Sequence, residues 1–365
     1  MKIVIPRIIK SKVQLTWDWS GTVTNLKKAL AKYEEVEEQN IFYNFRMRIN
    51  KYLIKLHLRK NDFGLLNIKE AEKQLSLVSN DVCLTFDEFP KKAKYANKIF
   101  IYQDLSAFYL LEMAKRNYKY YEYSGFQKIS IEILEKRSKS QSLFYDTADG
   151  IFTMSKWLAD YLVNQQKIPS QKVHYVGAGV NVSPNLVEYD QRNRRRFLFV
   201  GKDFQRKSGD LVHKAFEYLQ TNLMKEAELY IIGPEKCPIE NDNPNIYFLG
   251  NIPSSEVVKY YNLCDIFVMP SRFEAFGIVF IEALGYGLPC IGRDLMEMPN
   301  LIKDGINGKL IDEYDEDYVN LAHEMYDLIK DDQIFMNVRE LREELISEFS
   351  WDNVAKKMIE VMRKS

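Results

Sequence analysis

Two glutamates eight residues apart frame the start of a predicted helix in residues 264–292, which read CDIFVMPSRFEAFGIVFIEALGYGLPCIG. The apolar run 266–269 predicts a strand, Glu274 follows in a polar turn, and Glu282 lies in an apolar helical stretch that ends at Gly287. A helix start offers unpaired N–H groups and the positive end of the helix dipole, which favour phosphate. Carboxylates beside it can bind sugar hydroxyls. The pattern therefore predicts a site for a nucleotide sugar.

The alternative for these glutamates is a pair of solvated surface residues, because the chain holds 51 acidic residues. Glu282, however, stands among apolar neighbours, namely Phe280, Ile281, Ala283 and Leu284. A lone charge is rarely buried without a partner. We therefore interpret Glu282 as a buried binding residue.

A second cluster is basic and follows another predicted strand. Residues 197–200 predict a strand that ends at Gly201, and Lys202, Arg206 and Lys207 crowd the turn after it. Cations at this position can offset the charge of a departing diphosphate as its bond breaks. The alternative is an ordinary basic surface turn, but the place at the carboxyl end of a strand favours the site.

Glycines end two further strands of the same half. Gly233 follows the apolar run 229–232, and Gly250 follows 246–249 and precedes Asn251 and Ile252. Glycine lets backbone approach a ligand closely, so the second loop could present backbone groups to a nucleotide base. Taken singly, each glycine is better explained as an ordinary turn residue.

Apolar runs alternate with helical stretches along the whole chain. Further strands are expected at 3–5, 82–86, 99–102, 151–153, 173–176, 290–291 and 309–311. Helical patterns are expected from about Thr24, over 32–60, and near 106–120, 126–140 and 155–166. Strands that alternate with helices predict parallel sheets covered on both faces.

The fold class expected from this alternation is α/β, with two doubly wound Rossmann-like domains facing across a cleft. The segment 183–196 is polar and is the expected linker, which gives an N-terminal domain of residues 1–184 and a second domain from 185. Ligands of such domain pairs bind at the carboxyl ends of the strands, in the cleft.

Composition narrows the class of protein. A chain of 365 residues is long enough for two domains. Its four cysteines are widely spaced, which argues against a disulfide framework or a zinc site and fits a reducing cytoplasm. The first residues, MKIVIPRIIKSK, are too basic and their apolar stretch too short for a signal peptide. The sequence contains no run of about 18 apolar residues, so no membrane-spanning helix is predicted.

The net charge of zero conceals an asymmetry between the two halves. Residues 1–184 contain 29 Lys and Arg against 19 Asp and Glu, a net +10, and residues 185–365 contain 22 against 32, a net −10. The first half is therefore expected to favour phosphorylated acceptors or an anionic membrane surface. Solvated lysines on surface helices are the equally weighted alternative.

Five segments that occur in order resemble the donor-binding domain of retaining glycosyltransferases of family 4, which have the GT-B fold. They are VGKDFQRKSGDL, IIG, FLGNIP, MPSRFEAFGIVFIEALGYGLPCIG and IKDGINGKLI, and they lie within about residues 197–312. Residues 152–181 resemble the end of the family's first domain. FSWDNVAKKM, at 349–358, resembles its final helix, so the resemblance implies a second domain of 185–348 and a helix of 349–365 that crosses back to the first.

The resemblance implies a role for each matching residue. Glu274 would contact hydroxyls of the transferred sugar, and Glu282 would bind the ribose. Lys202 and Lys207 match two cationic diphosphate ligands, with Lys202 where arginine is commoner and Ser208 where glycine is usual. Backbone N–H groups that would meet sugar and phosphate belong to Phe276, Gly277, Ile278 and Val279.

The first domain departs further from the family. Its first loop reads WDWSGTV, with Gly21 alone where the family usually has two glycines. Gln103 or Asp104 stands where the family often has a histidine. Asp104 could hydrogen-bond the donor sugar or polarise the acceptor hydroxyl, or it could cap the helix expected near Ser106.

The expected activity is retaining glycosyl transfer, with Glu274, Lys207 and Asp104 as catalytic residues. No side-chain nucleophile is evident, which favours same-face displacement, and no metal is expected because cations and a helix start already serve the diphosphate.

Asp315 and Asp317 resemble a metal-binding Asp-x-Asp, but they lie in an acidic run at an expected helix start. The alternatives are a nucleotide-sugar epimerase, an α-glucan phosphorylase, or a non-catalytic subunit that keeps the fold.

The expected partners are a nucleotide sugar donor and a glycan, lipid-linked or protein-linked acceptor, in cell-surface polysaccharide or glycoconjugate synthesis. An anionic membrane surface is a further candidate, and no nucleic-acid partner is expected. The expected location is the cytoplasm, with peripheral association at the inner membrane face as an option. The sugar, the base and the acceptor are left open by the sequence.

Overall fold

The computed structural model describes residues 1–9, 21–56, 58–59, 65–78, 81–86, 88, 98–181, 194–239 and 242–365. The chain divides into two compact units. Unit 1 comprises Met1–Gly179 and Trp351–Ser365, and unit 2 comprises Val180–Ser350. The expected linker at 183–196 lies outside the described residues, apart from 194–196.

Unit 1 is built on a six-stranded sheet in the order β2-β1-β3-β4-β5-β6, and its strand pairs are all parallel. Its strands are β1 (Lys2–Ile9), β2 (Glu35–Phe42), β3 (Val82–Thr85), β4 (Lys98–Gln103), β5 (Gly150–Thr153) and β6 (Val173–Tyr175). Its helices are α1 (Thr22–Leu30), α2 (Phe45–Lys55), α3 (Leu65–Glu72), α4 (Ala107–Lys115), α5 (Ile131–Thr147), α6 (Lys156–Asn164) and α13 (Trp351–Lys364).

Unit 2 repeats this plan with a sheet in the order β12-β11-β10-β7-β8-β9, again with parallel pairs. Its strands are β7 (Arg196–Val200), β8 (Glu228–Ile232), β9 (Ile246–Gly250), β10 (Ile266–Val268), β11 (Cys290–Arg293) and β12 (Gly308–Ile311). Its helices are α7 (Gly209–Asn222), α8 (Ser254–Leu263), α9 (Ile278–Gly285), α10 (Met298–Leu301), α11 (Tyr318–Lys330) and α12 (Asp332–Glu348).

The predicted α/β class with two parallel sheets is confirmed, and every predicted strand is present. The reason is that central strands of a covered parallel sheet are buried on both faces and therefore appear as short apolar runs. The carboxyl ends of parallel strands share one edge of each sheet. In unit 2 that edge carries the turns after β7, β8, β9 and β10.

The prediction of helix throughout residues 32–60 is wrong, because β2 occupies Glu35–Phe42 at the edge of the sheet. Its side chains are mostly exposed or half-buried, and several are charged. Glu38 accepts from Arg7 and Lys27, and Glu37 pairs with Lys2. An edge strand tolerates such charges, which also discourage pairing with another sheet.

Helix α13 has a strongly one-sided apolar pattern. Its buried side chains repeat at helical spacing and are Trp351, Val354, Ala355, Met358, Ile359 and Met362. The Lys32 ammonium and the Tyr33 hydroxyl, just after α1, contact the carboxylate of Asp352 at 3.1 and 2.8 Å. Of the helices in the described ranges, none is long and apolar enough to cross a membrane.

Candidate functional site

The turn between β7 and α7 folds tightly on itself at the carboxyl edge of the unit 2 sheet. The Lys207 N–H donates to the Asp203 carbonyl at 3.0 Å, and the Gly209 N–H donates to the Phe204 carbonyl at 2.7 Å. A Cβ added at Gly201 would lie 2.8 Å from Lys207 Cγ. Glycine at the strand end thus lets the Lys207 side chain lie directly against the backbone of β7.

Lys207 and Glu274 join this basic turn to the loop after β10. The Lys207 ammonium donates to Glu274 Oε2, and both side chains are largely buried. Arg206 supports the contact, because its Nη1 donates to the Phe273 carbonyl at 3.1 Å and lies 4.0 Å from Glu274 Oε2. Two residues predicted from separate motifs therefore lie in one site.

Burial, and secondarily the Arg206 guanidinium, lower the pKa of the Lys207 ammonium well below its ordinary value. The Asp203 carboxylate opposes this shift. Glu274 is the anion in direct contact with the ammonium. An ammonium has three donors and a carboxylate several acceptor positions, so each group can contact a ligand while the pair persists.

Two glycines allow close approach around this pair. Gly233, with φ of 129°, packs so closely that an added Cβ would lie 2.5 Å from the Gly201 carbonyl. Gly277, with φ of 82°, precedes α9, and an added Cβ there would lie 3.3 Å from Glu274 Cγ. Both conformations are in the region that favours glycine. Substitution at either position would move the elements that carry the ion pair.

Ser208 takes a backbone conformation that favours glycine. Its φ is 59° and its ψ 33°, which is left-handed backbone at the start of α7. A non-glycine residue in this conformation costs about 1 kcal/mol or more. The buried Ser208 hydroxyl has no hydrogen-bond partner among the described residues. The turn therefore keeps this shape at a cost in local stability.

Helix α9 begins beside Glu274 with no side chain capping its first turn. Glu282 lies buried within this helix, as its sequence context predicts. Its carboxylate accepts from the Tyr261 hydroxyl at 3.1 Å and from the Asn181 N–H at 3.4 Å. Burial raises the pKa of Glu282 to about 7, although these two hydrogen bonds oppose the shift. Glu282 therefore changes charge near neutral pH.

Arg272 holds the basic turn against the loop that carries Glu274. Its guanidinium is buried and donates to Asp210 Oδ1 and Oδ2 at 2.7 and 3.0 Å, and to the Gln205 carbonyl at 2.7 Å. It also donates to Glu316 at 2.5–3.2 Å, and its own N–H donates to the Arg206 carbonyl at 2.9 Å. One side chain thus connects three segments around the ion pair.

Arg293, the last residue of β11, also belongs to this network. Its side chain is fully buried, and it donates to the Pro270 carbonyl at 3.1 Å and to Glu316 Oε1 at 3.2 Å. It also donates to the carbonyls of Glu313 and Asp315, at 3.0 and 2.7 Å. Arg293 therefore fixes the backbone next to Arg272 and next to Glu316, which lie in two separate loops.

The remaining predicted residues of unit 2 lie at the same sheet edge. Lys202 and Asn251 are exposed, Ile252 is half-buried, and Phe276 is buried with its ring 6.3 Å from that of Phe349. Ile278 and Val279 are half-buried in the first turn of α9.

The predicted residues of unit 1 are Gly21 and Asp104. Gly21 takes a left-handed conformation, with φ of 95°, at the start of α1. Asp104 follows β4 and is half-buried, and desolvation raises its pKa. The alternative that Asp104 caps the next helix is wrong, because the Ser106 hydroxyl accepts from the N–H groups of Phe108 and Tyr109.

The acidic run near residue 315 has structural partners. Asp317 caps α11 by accepting from the Val319 N–H, and Asp315 accepts from the Asp317 N–H and from Asn320. Glu316 between them binds Arg272 and Arg293. In the described ranges, no group of three or more His, Cys, Asp or Glu side chains is arranged to hold a metal ion.

Comparison with known proteins agrees with this arrangement. Residues 188–349, nearly the whole of unit 2, match the family model described as "Glycosyl transferases group 1". Unit 2 is therefore similar to the group 1 glycosyl transferases. The lipopolysaccharide outer core galactosyltransferase WaaB, in its apo form, is a structural neighbour with a TM-score of 0.65 and 15% identity, over 100% of this chain and 99% of that one. The chain has the GT-B fold.

Sequence relatives match more limited regions. An uncharacterized 41.2 kDa protein in the cps region of Klebsiella pneumoniae is 31% identical over 128 residues, which is 33% of this chain and 34% of that protein. An uncharacterized glycosyltransferase of Methanocaldococcus jannaschii is 26% identical over 225 residues, 60% of this chain and 62% of the relative. The chain spans less than two thirds of the length of these relatives.

Sequence reasoning missed the network of Arg272, Asp210, Glu316 and Arg293, and the contacts of Tyr261 and Asn181 with Glu282. An arginine directly after Pro270 and Ser271, in a turn with few other charges, was the one available signal. It gives no partner, because Asp210 and Glu316 lie 62 and 44 residues away.

Proposed function

We propose that the protein is a retaining, metal-independent glycosyltransferase that moves a sugar from a nucleoside diphosphate sugar to an acceptor hydroxyl. The observation that carries the proposal is the Lys207–Glu274 pair beside the uncapped start of α9. A buried cation and a helix start suit a diphosphate, and a carboxylate next to them suits sugar hydroxyls.

The proposed reaction is displacement on one face of the sugar. The bond between the anomeric carbon and the phosphate oxygen breaks, and the acceptor oxygen bonds to the anomeric carbon from the same side. The acceptor proton passes to the departing phosphate oxygen. Lys207, with Arg206 and Lys202 in the same turn, would stabilise the negative charge that develops on the diphosphate. Glu274 would orient the sugar, and Asp104 of unit 1 is the candidate to polarise the acceptor hydroxyl.

The acceptor we propose is a glycan, either lipid-linked or protein-linked, in cell-surface polysaccharide or glycoconjugate synthesis. The structural neighbour of lipopolysaccharide synthesis and the positive charge of the first half support this class. The same charge supports work at the anionic face of a membrane. An epimerase on the same fold is less well supported, since it would need acid and base groups facing the sugar.

The product's anomeric configuration tests the proposal. A thermal-shift screen against UDP, GDP and ADP first identifies the base. With the matching sugar donor, NMR of the first-formed product should show the donor's anomeric configuration. EDTA should change the rate by less than about twofold, because cations of the chain serve the diphosphate. Inverted product contradicts the retaining assignment, and loss of rate that Mg²⁺ or Mn²⁺ restores contradicts the metal-independent one.

Nucleotide binding should strengthen as pH rises through the pKa of Glu282. The ionised carboxylate is the better acceptor for ribose hydroxyls, and burial raises the pKa of Glu282 to about 7. Calorimetry with the nucleoside diphosphate should show about tenfold tighter binding at pH 8 than at pH 6. Glu282→Gln should bind more weakly at pH 8 and should lose this part of the pH dependence.

The Glu282→Gln protein is also the control for titration of the nucleotide's own phosphate, which both proteins share. If wild type and Glu282→Gln have parallel pH profiles and equal affinities, Glu282 does not contact the nucleotide.

A further inference from the structure

Among the residues that the structure describes, helix α2 packs on unit 1 along one face. Met47 and Asn50 point inward and are buried. The Asn44 side chain caps the helix by accepting from the Met47 N–H at 3.0 Å, and it donates to Glu70 Oε2 at 3.0 Å. The Asn50 amide donates to Asn67 Oδ1 at 3.4 Å. These contacts hold the helix in place and determine which of its side chains point outward.

That outer face is apolar, although it is exposed. Its large side chains are spaced by four, three and four residues, which aligns them along the helix opposite Met47 and Asn50. We call them the α2 stripe, and their exposed fractions are 77% for Phe45, 42% for Ile49, 62% for Tyr52 and 47% for Leu56. Single exposed apolar residues are normal on a protein surface, but a contiguous row with two aromatic rings marks an interaction surface.

The charged residues of the segment that carries the α2 stripe all have one sign. Residues 45–60 contain no aspartate or glutamate. Arg48, Lys51 and Lys55 lie along one flank and are exposed. Arg46 lies on the other flank, also exposed, with its Nη1 3.5 Å from Glu70. An apolar row bordered by cations is the pattern of a helix that lies in the interface of an anionic bilayer.

We propose that the α2 stripe and its basic flanks dock unit 1 onto a membrane surface that contains anionic lipid. The apolar row would enter the boundary between headgroups and acyl chains, and the cations would meet lipid phosphates. Exposed cations near such a surface and apolar side chains that enter it both strengthen binding. The inference rests on the membrane-facing part of the proposed function and gives it a location.

A protein partner fits this surface less well. Protein interfaces are depleted of lysine, and the cations on the flanks would need acidic residues opposite them. Anionic headgroups supply that complement everywhere on a bilayer, without a matched partner. Membrane binding also gives a reason for the outward-facing aromatic rings, because the inner face of the helix is already packed on unit 1.

Vesicle flotation tests the proposal. The wild-type protein should float with vesicles rich in phosphatidylglycerol and stay unbound with pure phosphatidylcholine. Phe45→Ser, Ile49→Ser and Tyr52→Ser combined should lower the binding constant at least about tenfold, since less than one fully buried side chain already accounts for that factor. Arg48→Glu, Lys51→Glu and Lys55→Glu combined should abolish binding. Tyr52→Trp should shift its fluorescence to the blue only when anionic vesicles are added.

Matched controls carry the same kinds of change on α5, where Leu143 and Lys139 are exposed. Leu143→Ser and Lys139→Glu should float like wild type, and thermal melting should show every variant folded.

If the stripe variant floats like wild type, or wild type fails to float at low salt, the proposal is wrong. If the stripe variant instead converts a dimer to a monomer, the surface belongs to a second copy of the chain, which also overturns it. Nucleotide binding measured on the same variants reports unit 2 separately, so failure of docking leaves the transfer proposal standing.

Discussion

Replacing Lys207 by methionine is expected to lower kcat/KM by about a hundred- to a thousandfold, the usual effect of removing one group that stabilises developing charge. Lys207 is buried against Gly201 and donates to Glu274, so no solvent cation can replace it at this place. Methionine keeps the length and apolar contacts of the side chain and removes the charge. Steady-state kinetics with the donor identified by thermal shift provide the measurement.

Glu274→Gln should also lower kcat/KM strongly, because Glu274 is the partner of Lys207. Without the carboxylate, the Lys207 ammonium loses the acceptor that holds it in place, while burial still lowers its pKa. The double variant should therefore be little worse than either single one. Lys214→Met, an exposed lysine on α7, should retain wild-type rates. Additive losses in the double variant, or wild-type rates in Lys207→Met, contradict the assigned pair.

Replacing Arg272 by methionine is expected to destabilise the protein by about 3–5 kcal/mol, the range found when one partner of a buried ion pair is removed. The substitution leaves Asp210 and Glu316 without the guanidinium that joins them, and it releases the Gln205 carbonyl. The melting temperature should fall by several degrees. Hydrogen exchange should show early loss of protection in the turn of residues 202–208.

Arg272→Lys should rescue little of this loss, because an ammonium cannot reproduce two bidentate contacts with carboxylates. The matched control is Arg363→Met in α13, where an exposed guanidinium pairs with Glu34. Exposed pairs contribute at most about 1 kcal/mol, so its melting temperature should change little. If Arg272→Met and Arg363→Met melt alike, Arg272 does not hold the site together.

The strands of both sheets were predictable because burial on two faces leaves short apolar runs in the sequence. β2 was not, because an edge strand exposes one side, and glutamates at 34, 35, 37 and 38 resemble a charged helix. The error shows that a run of charged residues indicates exposure to solvent but does not distinguish a helix from a strand. Exposed helices and exposed edge strands share that composition.

The site was predictable where one segment carries the chemistry, as in the Lys207 turn and the Glu274–Glu282 stretch. It was not predictable where function depends on pairing between segments. The sequence contains Arg272 and Glu316, but nothing in it shows that they meet, since 44 residues and two strands separate them. Tyr261 likewise gives no sign in the sequence that its hydroxyl reaches Glu282. Such contacts arise from the packing of elements that each follow their own local pattern.

The division of the chain into units has a consequence for synthesis on the ribosome. Unit 2 is one uninterrupted stretch, whereas unit 1 draws on residues from both sides of it. Trp351 of α13 packs directly on Gly179, where an added Cβ would lie 2.4 Å from the indole Cγ. The first 179 residues therefore emerge without the helix that covers them and wait while all of unit 2 is translated. Domains generally fold as they emerge, so unit 2 can finish folding while unit 1 still exposes apolar surface to chaperones.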